Sequence, residues 1–329
     1  MKVGIIGCGA IGKKRALALS GHELVIAVDT SLERAMEIAQ LKKCQTISTD
    51  YHDALQNNDI ELVLISTTNE FLAQITLDAV TAGKHVLVEK PGGRNPEELI
   101  PIIHSAEKNH VYVKVGFNHR YHPALMKAKH LVQSGVLGQL LFIRARYGHG
   151  GRLGYEKEWR AFPEKSGGGE LIDQGVHLID LSRWFLGELT VEHGFVHTYF
   201  WDMPVDDNAF LMLKSAGEQV AWLHVSCTEW KNIFSFEIYG TAGKLHIDGL
   251  GGSYGVEKLY HYHMLPDMGP PETTIWEYPF TDNSWEVELK GFIQNIIEKR
   301  VPEGTILDAK QALDIVKTVY RSGYTRGML

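Results

Sequence analysis

The sequence predicts an α/β protein: an amino-terminal doubly wound parallel sheet, followed by an α+β domain with a large, open, mainly antiparallel sheet. Two observations carry this. Up to about residue 120, short apolar runs alternate with helical stretches, the rhythm of parallel strands joined by right-handed crossovers. Beyond it the apolar runs crowd together, separated by turn signals such as "SAGE" and "GTAGK", which suits antiparallel pairing. Two domains, 1–120 and 121–329, are therefore expected, and a chain of 329 residues is long enough for two cores.

The elements follow in order. "KVGIIG" reads as a strand, 13–20 as a helix, "ELVIAVD" as a second strand, 31–41 as a second helix and "IELVLIST" as a later strand. A helix over 70–82, stopped by Gly83, leads into "HVLVE", and a helix over 96–109 leads into "VYVKVGF". In the second domain, helices are expected over 122–135 and from about Gly169 to Phe185, and strands at "LLFIRARYG", "NAFLMLKS", "QVAWLHVSC", "FSFEIYG" and "KLHIDG". Helical segments around 285–299 and 308–325 close the chain.

Composition narrows the function. A net charge of −7 argues against a nucleic-acid surface. Cys8, Cys44 and Cys227 are scattered and odd in number, which suits reduced cytoplasmic thiols rather than disulfides or a metal cluster. Apolar runs fall short of a membrane span, so a soluble cytoplasmic protein is expected. A broad open sheet in the second domain favours coverage by a partner subunit, as a homodimer or homotetramer.

The first chemical motif is "GIIGCGAIG", in which Gly7, Gly9 and Gly12 have the GxGxxG spacing between a strand and a helix. Glycines there make the tight turn, admit a pyrophosphate and pack the helix on the strand, and the helix start at Ala10 and Ile11 stabilises phosphate charge. Asp29, with Thr30 beside it, ends the second strand, where a carboxylate accepts both ribose hydroxyls and repels a 2′-phosphate. NAD(H) is therefore preferred, and Arg34 leaves NADP(H) open. Lys13, Lys14 and Arg15 read most simply as a solvated first turn. "TTN" (Thr67, Thr68, Asn69), Glu89 and Lys90, and "GFN" with Asn118 lie at other strand ends and are expected to line a Rossmann-type cofactor crevice. In "KHVLVEKPGG", two charges end a buried strand; Glu89 is expected to balance and aim Lys90, while Pro91 stiffens the turn.

These motifs, with "AGKHVLVEKP", "GFNHRYHPA", "SGGGELIDQGVHLIDL" and "DAKQALDIVKTVYRSG", resemble the glucose-fructose oxidoreductase / inositol dehydrogenase / MocA family of NAD(P)-dependent oxidoreductases over nearly the whole chain. The resemblance implies that Lys90 contacts substrate and nicotinamide, and that Asp173 and His177 form the acid/base pair of the second domain. One departure is visible: the family's Thr-Pro-Asn, followed three residues later by histidine, is here Thr67-Thr68-Asn69 with Leu72. Helical spacing puts Asp173, His177 and Asp180 on one stripe, after three glycines that allow close backbone approach.

The implied reaction moves a hydride between nicotinamide and a secondary hydroxyl or ketone. Its proton chemistry suits a histidine or a tuned lysine, so His177 is expected as general acid/base, Lys90 as the group polarising the reacting oxygen, and Asp173 as a hydroxyl acceptor. The roles of Lys90 and His177 are interchangeable at this stage. Arg120, Tyr147, His149, Arg152, Trp159 and Arg160 are the expected substrate contacts. The resemblance implies a sugar, sugar phosphate or nucleotide sugar as substrate; arginines suit phosphate and aromatics stack on a sugar or base, which leaves the anionic members of that class open. A cyclitol dehydrogenase, or a regulator that binds cofactor without catalysis, is the alternative. The "YHYH" run, Tyr260 to His263, reads as an exposed strand, and no metal is expected.

Overall fold

The computed structural model describes residues 1–323, which divide into two compact units. The first is discontinuous in sequence: Met1–Phe117, Glu164–Gly167 and Trp285–Leu313. Its six parallel strands are β1 (Lys2–Ile6), β2 (Glu23–Val28), β3 (Thr46–Ser48), β4 (Leu62–Ile65), β5 (His85–Val88) and β6 (Val113–Val115), in the order β3-β2-β1-β4-β5-β6. Helices α1 (Ala10–Ala18), α2 (Leu32–Lys42), α3 (His52–Gln56), α4 (Asn69–Thr81) and α5 (Ile100–Lys108) connect them. β4 is buried throughout, as expected of a parallel strand covered on both faces. Strand order reverses between β1 and β4, so the loops after these two strands flank the usual ligand crevice of such sheets. The sequence pattern gives no sign of β3 and α3, because "TIS" is three residues long and nowhere fully buried.

The second unit holds α6 (Pro123–Gln133), most of the chain to Ser284, and an eight-stranded sheet. Its strands are β7 (Leu140–Gly148), β8 (Leu189–His197), β9 (Asn208–Ser215), β10 (Val220–Ser226), β11 (Ile233–Gly240), β12 (Gly243–Asp248), β13 (Glu257–His263) and β14 (Glu272–Tyr278), in the order β14-β13-β12-β11-β7-β10-β9-β8. Only β7 and β10 pair in parallel. Along β7, Ile143, Ala145 and Tyr147 face inward while Phe142, Arg144 and Arg146 face out, the period of two of a sheet covered on one side.

The expected helix from Gly169 to Phe185 is interrupted. After the short α7 (Pro163–Ser166), the chain makes a π turn over Leu171–Gly175 and only then becomes α8 (Val176–Leu186), packed on β7 and β10. The wider turn interrupts the 3.6-residue period between Asp173 and His177, and Asp173, His177 and Asp180 are all buried rather than facing solvent. α9 (Ser284–Ile297) sends Leu289, Phe292 and Ile293 into the core around Val3, Ile5, Leu62 and Leu64 of the first unit. α10 (Ile306–Gly323) follows, and the expected helix end at residue 325 lies outside the described residues.

Candidate active site

At the dinucleotide end the glycines have separate duties. Gly7 sits at φ +91°, and a Cβ there would lie 2.6 Å from the Ser66 carbonyl. A Cβ on Gly12 would strike the Gly7 oxygen at 2.0 Å, whereas one on Gly9 would meet nothing within 4 Å. Gly9 therefore leaves space on the side where a ligand approaches. No side chain caps α1 and no acidic residue occupies its first turn, so the amides at Ala10 and Ile11 offer an uncompensated positive end. This open, amide-lined turn fits a pyrophosphate.

Asp29 follows β2 with its carboxylate fixed by the chain: Cys8 N–H donates to Oδ2 at 2.7 Å and Ser31 N–H to Oδ1 at 2.8 Å. Each oxygen retains acceptor capacity for a ribose hydroxyl. Thr30 and Arg34 are exposed beside it. Thr67 and Thr68 are half-buried after β4, while buried Asn69 turns its amide onto the Ser166 carbonyl at 2.8 Å. Leu72 is fully buried. Lys90 is half-buried at the end of β5.

Glu89 and Arg15 depart from the expected picture. Arg15 is not part of a solvated turn: it is fully buried, its Nε donating to Glu89 Oε1 at 2.6 Å and its Nη1 to Glu288 Oε2 at 2.6 Å. Only Lys13 and Lys14 are exposed there. The neighbour held by Glu89 is therefore Arg15, a partner the local sequence does not suggest.

In the second unit, the His177 ring stacks on His119, centroids 3.8 Å apart, and Tyr147 meets His119 edge-on at 5.2 Å. Burial, and then Tyr254, push the Tyr147 hydroxyl well above its usual range, so it is a proton donor rather than a phenolate. Asp173, in the π turn, accepts from Arg160 Nε at 3.1 Å, and the Arg160 guanidinium also lies 4.6 Å over the Trp159 ring. The neighbouring Asp173 charge, acting against burial, raises the Arg160 pKa further.

Arg152, expected to meet substrate, forks onto Glu158 with two contacts of 2.6 Å. Arg120 is buried and bidentate to Asp180 at 2.8 and 2.6 Å. Arg144 is held by Glu237. Asn118 belongs to this unit, where its amide donates to Ser284 Oγ at 3.0 Å.

Two acids are absent from the sequence-based expectation. Glu170 accepts the Tyr155 hydroxyl at 2.8 Å and faces His149 Nε2 at 3.5 Å. Gly151 N–H donates to His149 Nδ1, so the proton of neutral His149 sits on Nε2, toward Glu170. Burial lowers the His149 pKa, but the Glu170 contact outweighs it and the net shift is upward. Asp206, fully buried, accepts from Gly169 N–H at 3.0 Å, Leu171 N–H at 2.8 Å and the Tyr320 hydroxyl at 2.8 Å. The glycines before the π turn admit these groups: a Cβ on Gly169 would lie 1.9 Å from the Asp206 oxygen, and one on Gly168 2.2 Å from the Tyr320 hydroxyl. Glu170 gives one sequence signal, a lone acid between "GGG" and an apolar run; Asp206 in "VDDN" gives none.

Known proteins agree with this architecture. Residues 1–117 match the model of an oxidoreductase family with an NAD-binding Rossmann fold, and residues 125–246 match that of the GFO/IDH/MocA C-terminal domain. Levoglucosan dehydrogenase of Pseudarthrobacter phenanthrenivorans is 26% identical over 74% of this chain and 73% of its own. Inositol 2-dehydrogenase of Salmonella typhimurium is 29% identical over 61% of this chain, which spans 58% of that protein. A solved levoglucosan dehydrogenase in complex with NADH and L-sorbose superposes with a TM-score of 0.87, covering 99% of this chain and 98% of that one at 22% identity. With both halves matched in order, the chain belongs to the GFO/IDH/MocA family of NAD-binding oxidoreductases.

Proposed function

We propose that this oxidoreductase moves a hydride between nicotinamide and a secondary hydroxyl, or the matching ketone, of an uncharged sugar. The family assignment and a relative named for a sugar substrate support the reaction class. The observation that carries the charge class is that three of the arginines suited to an anion already hold carboxylates: Arg152 holds Glu158, Arg160 holds Asp173 and Arg144 holds Glu237. A phosphate would have to displace those partners. A cyclitol is the second reading, favoured by the inositol 2-dehydrogenase relative.

The nicotinamide, when bound, accepts or supplies the hydride. The turn from Gly7 to Gly12, with the Ala10 and Ile11 amides, holds the pyrophosphate, and Asp29 holds the adenosine ribose. Thr67, Thr68 and Lys90 edge the same crevice. The Lys90 ammonium polarises the reacting oxygen, His177 exchanges the hydroxyl proton, and Asp173, oriented by Arg160, accepts a substrate hydroxyl. Tyr147 and His149 supply further hydroxyl partners.

A panel of free sugars, sugar phosphates, nucleotide sugars and inositols, followed by nicotinamide absorbance, tests the substrate class. Free sugars should give the highest kcat/KM, and Arg152→Ala should change that value less than about threefold, the scale of a solvated surface pair. A phosphorylated sugar as best substrate, with strong salt dependence, overturns the reading.

NAD(H) is the proposed cofactor because both Asp29 oxygens are presented at the ribose position by backbone amides. In a fluorescence titration NADH should bind more tightly than NADPH, and Asp29→Ala should narrow the gap; tighter NADPH binding by the unaltered protein excludes it.

The open sheet face is the proposed homodimer or homotetramer contact. Phe195, Trp222, Phe142 and Ile275 are exposed on it, on four different strands. Trp222→Glu should lower the mass seen by light scattering; a monomeric unaltered protein would contradict this. Free Cys8, Cys44 and Cys227 support a reducing compartment such as the cytoplasm, and among the described residues no helix is long and apolar enough to cross a membrane.

A further inference from the structure

From the buried cluster in the first unit we infer that Arg15 is a positioning residue that keeps the Glu89 carboxylate away from adjacent Lys90 and ties the phosphate-facing helix to the Lys90 strand end. The inference rests on the reading of Lys90 given above. Arg15 lies one turn beyond the glycine motif on α1, and its fork reaches Glu89 after β5 and Glu288 on α9. Its side chain and that of Glu288 are fully buried, and Glu89 is 7% exposed. Behind Glu288, Lys114 of β6 lies 3.7 Å from Oε1, so two cations face two acids in this interior cluster. Trp285 covers the guanidinium at 4.5 Å. Gly116 is part of the same device, since a Cβ there would lie 2.5 Å from Arg15 Nη2 and 3.1 Å from Glu89 Oε2.

Burying such a cluster is a weak way to gain stability, because desolvation offsets most of the attraction. Its geometry suits a different purpose. Glu89 and Lys90 are adjacent, and a carboxylate free to turn onto the ammonium would raise the lysine's proton affinity and compete with the substrate oxygen for it. Burial pushes the Glu89 carboxyl up; among the charged groups facing it, Arg15 opposes that most, Glu288 adds to it, and Lys90 contributes least. Arg15 thus takes Glu89 out of competition, and the same guanidinium fixes α1, whose amino terminus faces the phosphates.

The test reads Lys90 directly, in the apoprotein, by competitive acetylation as a function of pH with mass-spectrometric detection. In Arg15→Met, Glu288 retains Lys114 while Glu89 is left to Lys90, so the Lys90 inflection should move up by roughly one unit. Arg15→Lys keeps a cation without the fork and should move it part of the way; it decides the matter if Arg15→Met does not fold. Adding Glu89→Gln to Arg15→Met should bring the inflection back toward the unaltered value. An unmoved inflection in folded Arg15 variants, with only a lower Tm, makes Arg15 structural and overturns the inference. An inflection that stays raised in the double variant assigns the effect to Arg15's own field and overturns it too. Turnover of Lys90→Ala, assayed in parallel, judges the Lys90 role separately, because the titration uses neither dinucleotide nor substrate.

Discussion

Lys90→Ala should lower kcat by ~10²-fold or more while leaving NAD(H) affinity nearly unchanged, the pattern of a lost electrostatic or acid/base group at the reacting atom. The expectation starts from position. Lys90 is the second residue beyond buried strand β5, half-exposed at the carboxyl edge of the parallel sheet, where ligands of such sheets bind. The glycine turn and Asp29, which account for dinucleotide affinity in this scheme, lie at the ends of other strands and keep their contacts in the variant. His177→Ala should cost a similar factor. The double variant should lose much less than the product if, as proposed, both groups serve one proton transfer. Fluorescence titration with NADH and steady-state rates at saturating dinucleotide separate the outcomes. If Lys90→Ala abolishes dinucleotide binding while chemistry at saturation survives, the lysine is a cofactor ligand and the assignment fails.

The features legible in the sequence are those whose cause is local. The glycine turn, α1 and Asp29 fall within one βαβ unit, and their spacing alone brings Cys8 N–H to Asp29. The strands from β7 onward announce themselves by alternation, although β8, β13 and β14, with exposed polar positions on them, do not stand out as apolar runs. The partners that the sequence does not show have causes in how the chain folds. Arg15 looks solvated because its acids lie 74 and 273 residues away. Arg120 finds Asp180 across 60 residues. The arginine-rich loop suggests an anion site, yet Arg152 already has Glu158 six residues on, a pairing that depends on how the loop closes. The π turn leaves no periodic trace, since one wide turn only shifts the phase of an apolar helix.

The largest effect on stability is expected at Asp206, which holds the first turn of the segment carrying Asp173 and His177. Asp206→Ala leaves the Leu171 amide and the Tyr320 hydroxyl without their acceptor, and the Gly169 amide with the Tyr320 oxygen at 3.1 Å in place of the carboxylate; an unsatisfied buried group costs about 1–3 kcal/mol, so a loss of several kcal/mol is expected at neutral pH. The pH dependence has a definite sign. Burial pushes the Asp206 carboxyl up to about 6 from its usual 3.8, against the pull of its three donors. The folded state therefore binds the proton more tightly than the unfolded chain. This favourable contribution is fully present below about 4 and is lost as pH rises through about 6. The stability gap between the unaltered protein and Asp206→Ala should accordingly widen when urea melts are run at pH 5 instead of pH 7. A salt-bridged carboxylate with a depressed pKa would narrow it. Asp206→Asn, which keeps one acceptor but turns an amide toward Leu171 N–H, should fall between the two. In the surviving folded fraction of Asp206→Ala, kcat should drop with NADH affinity preserved, because the π turn loosens while the glycine turn is untouched. A gap that is constant or narrows at acid pH would mean that Asp206 is ionised in the fold at both pH values and that its three donors outweigh its burial.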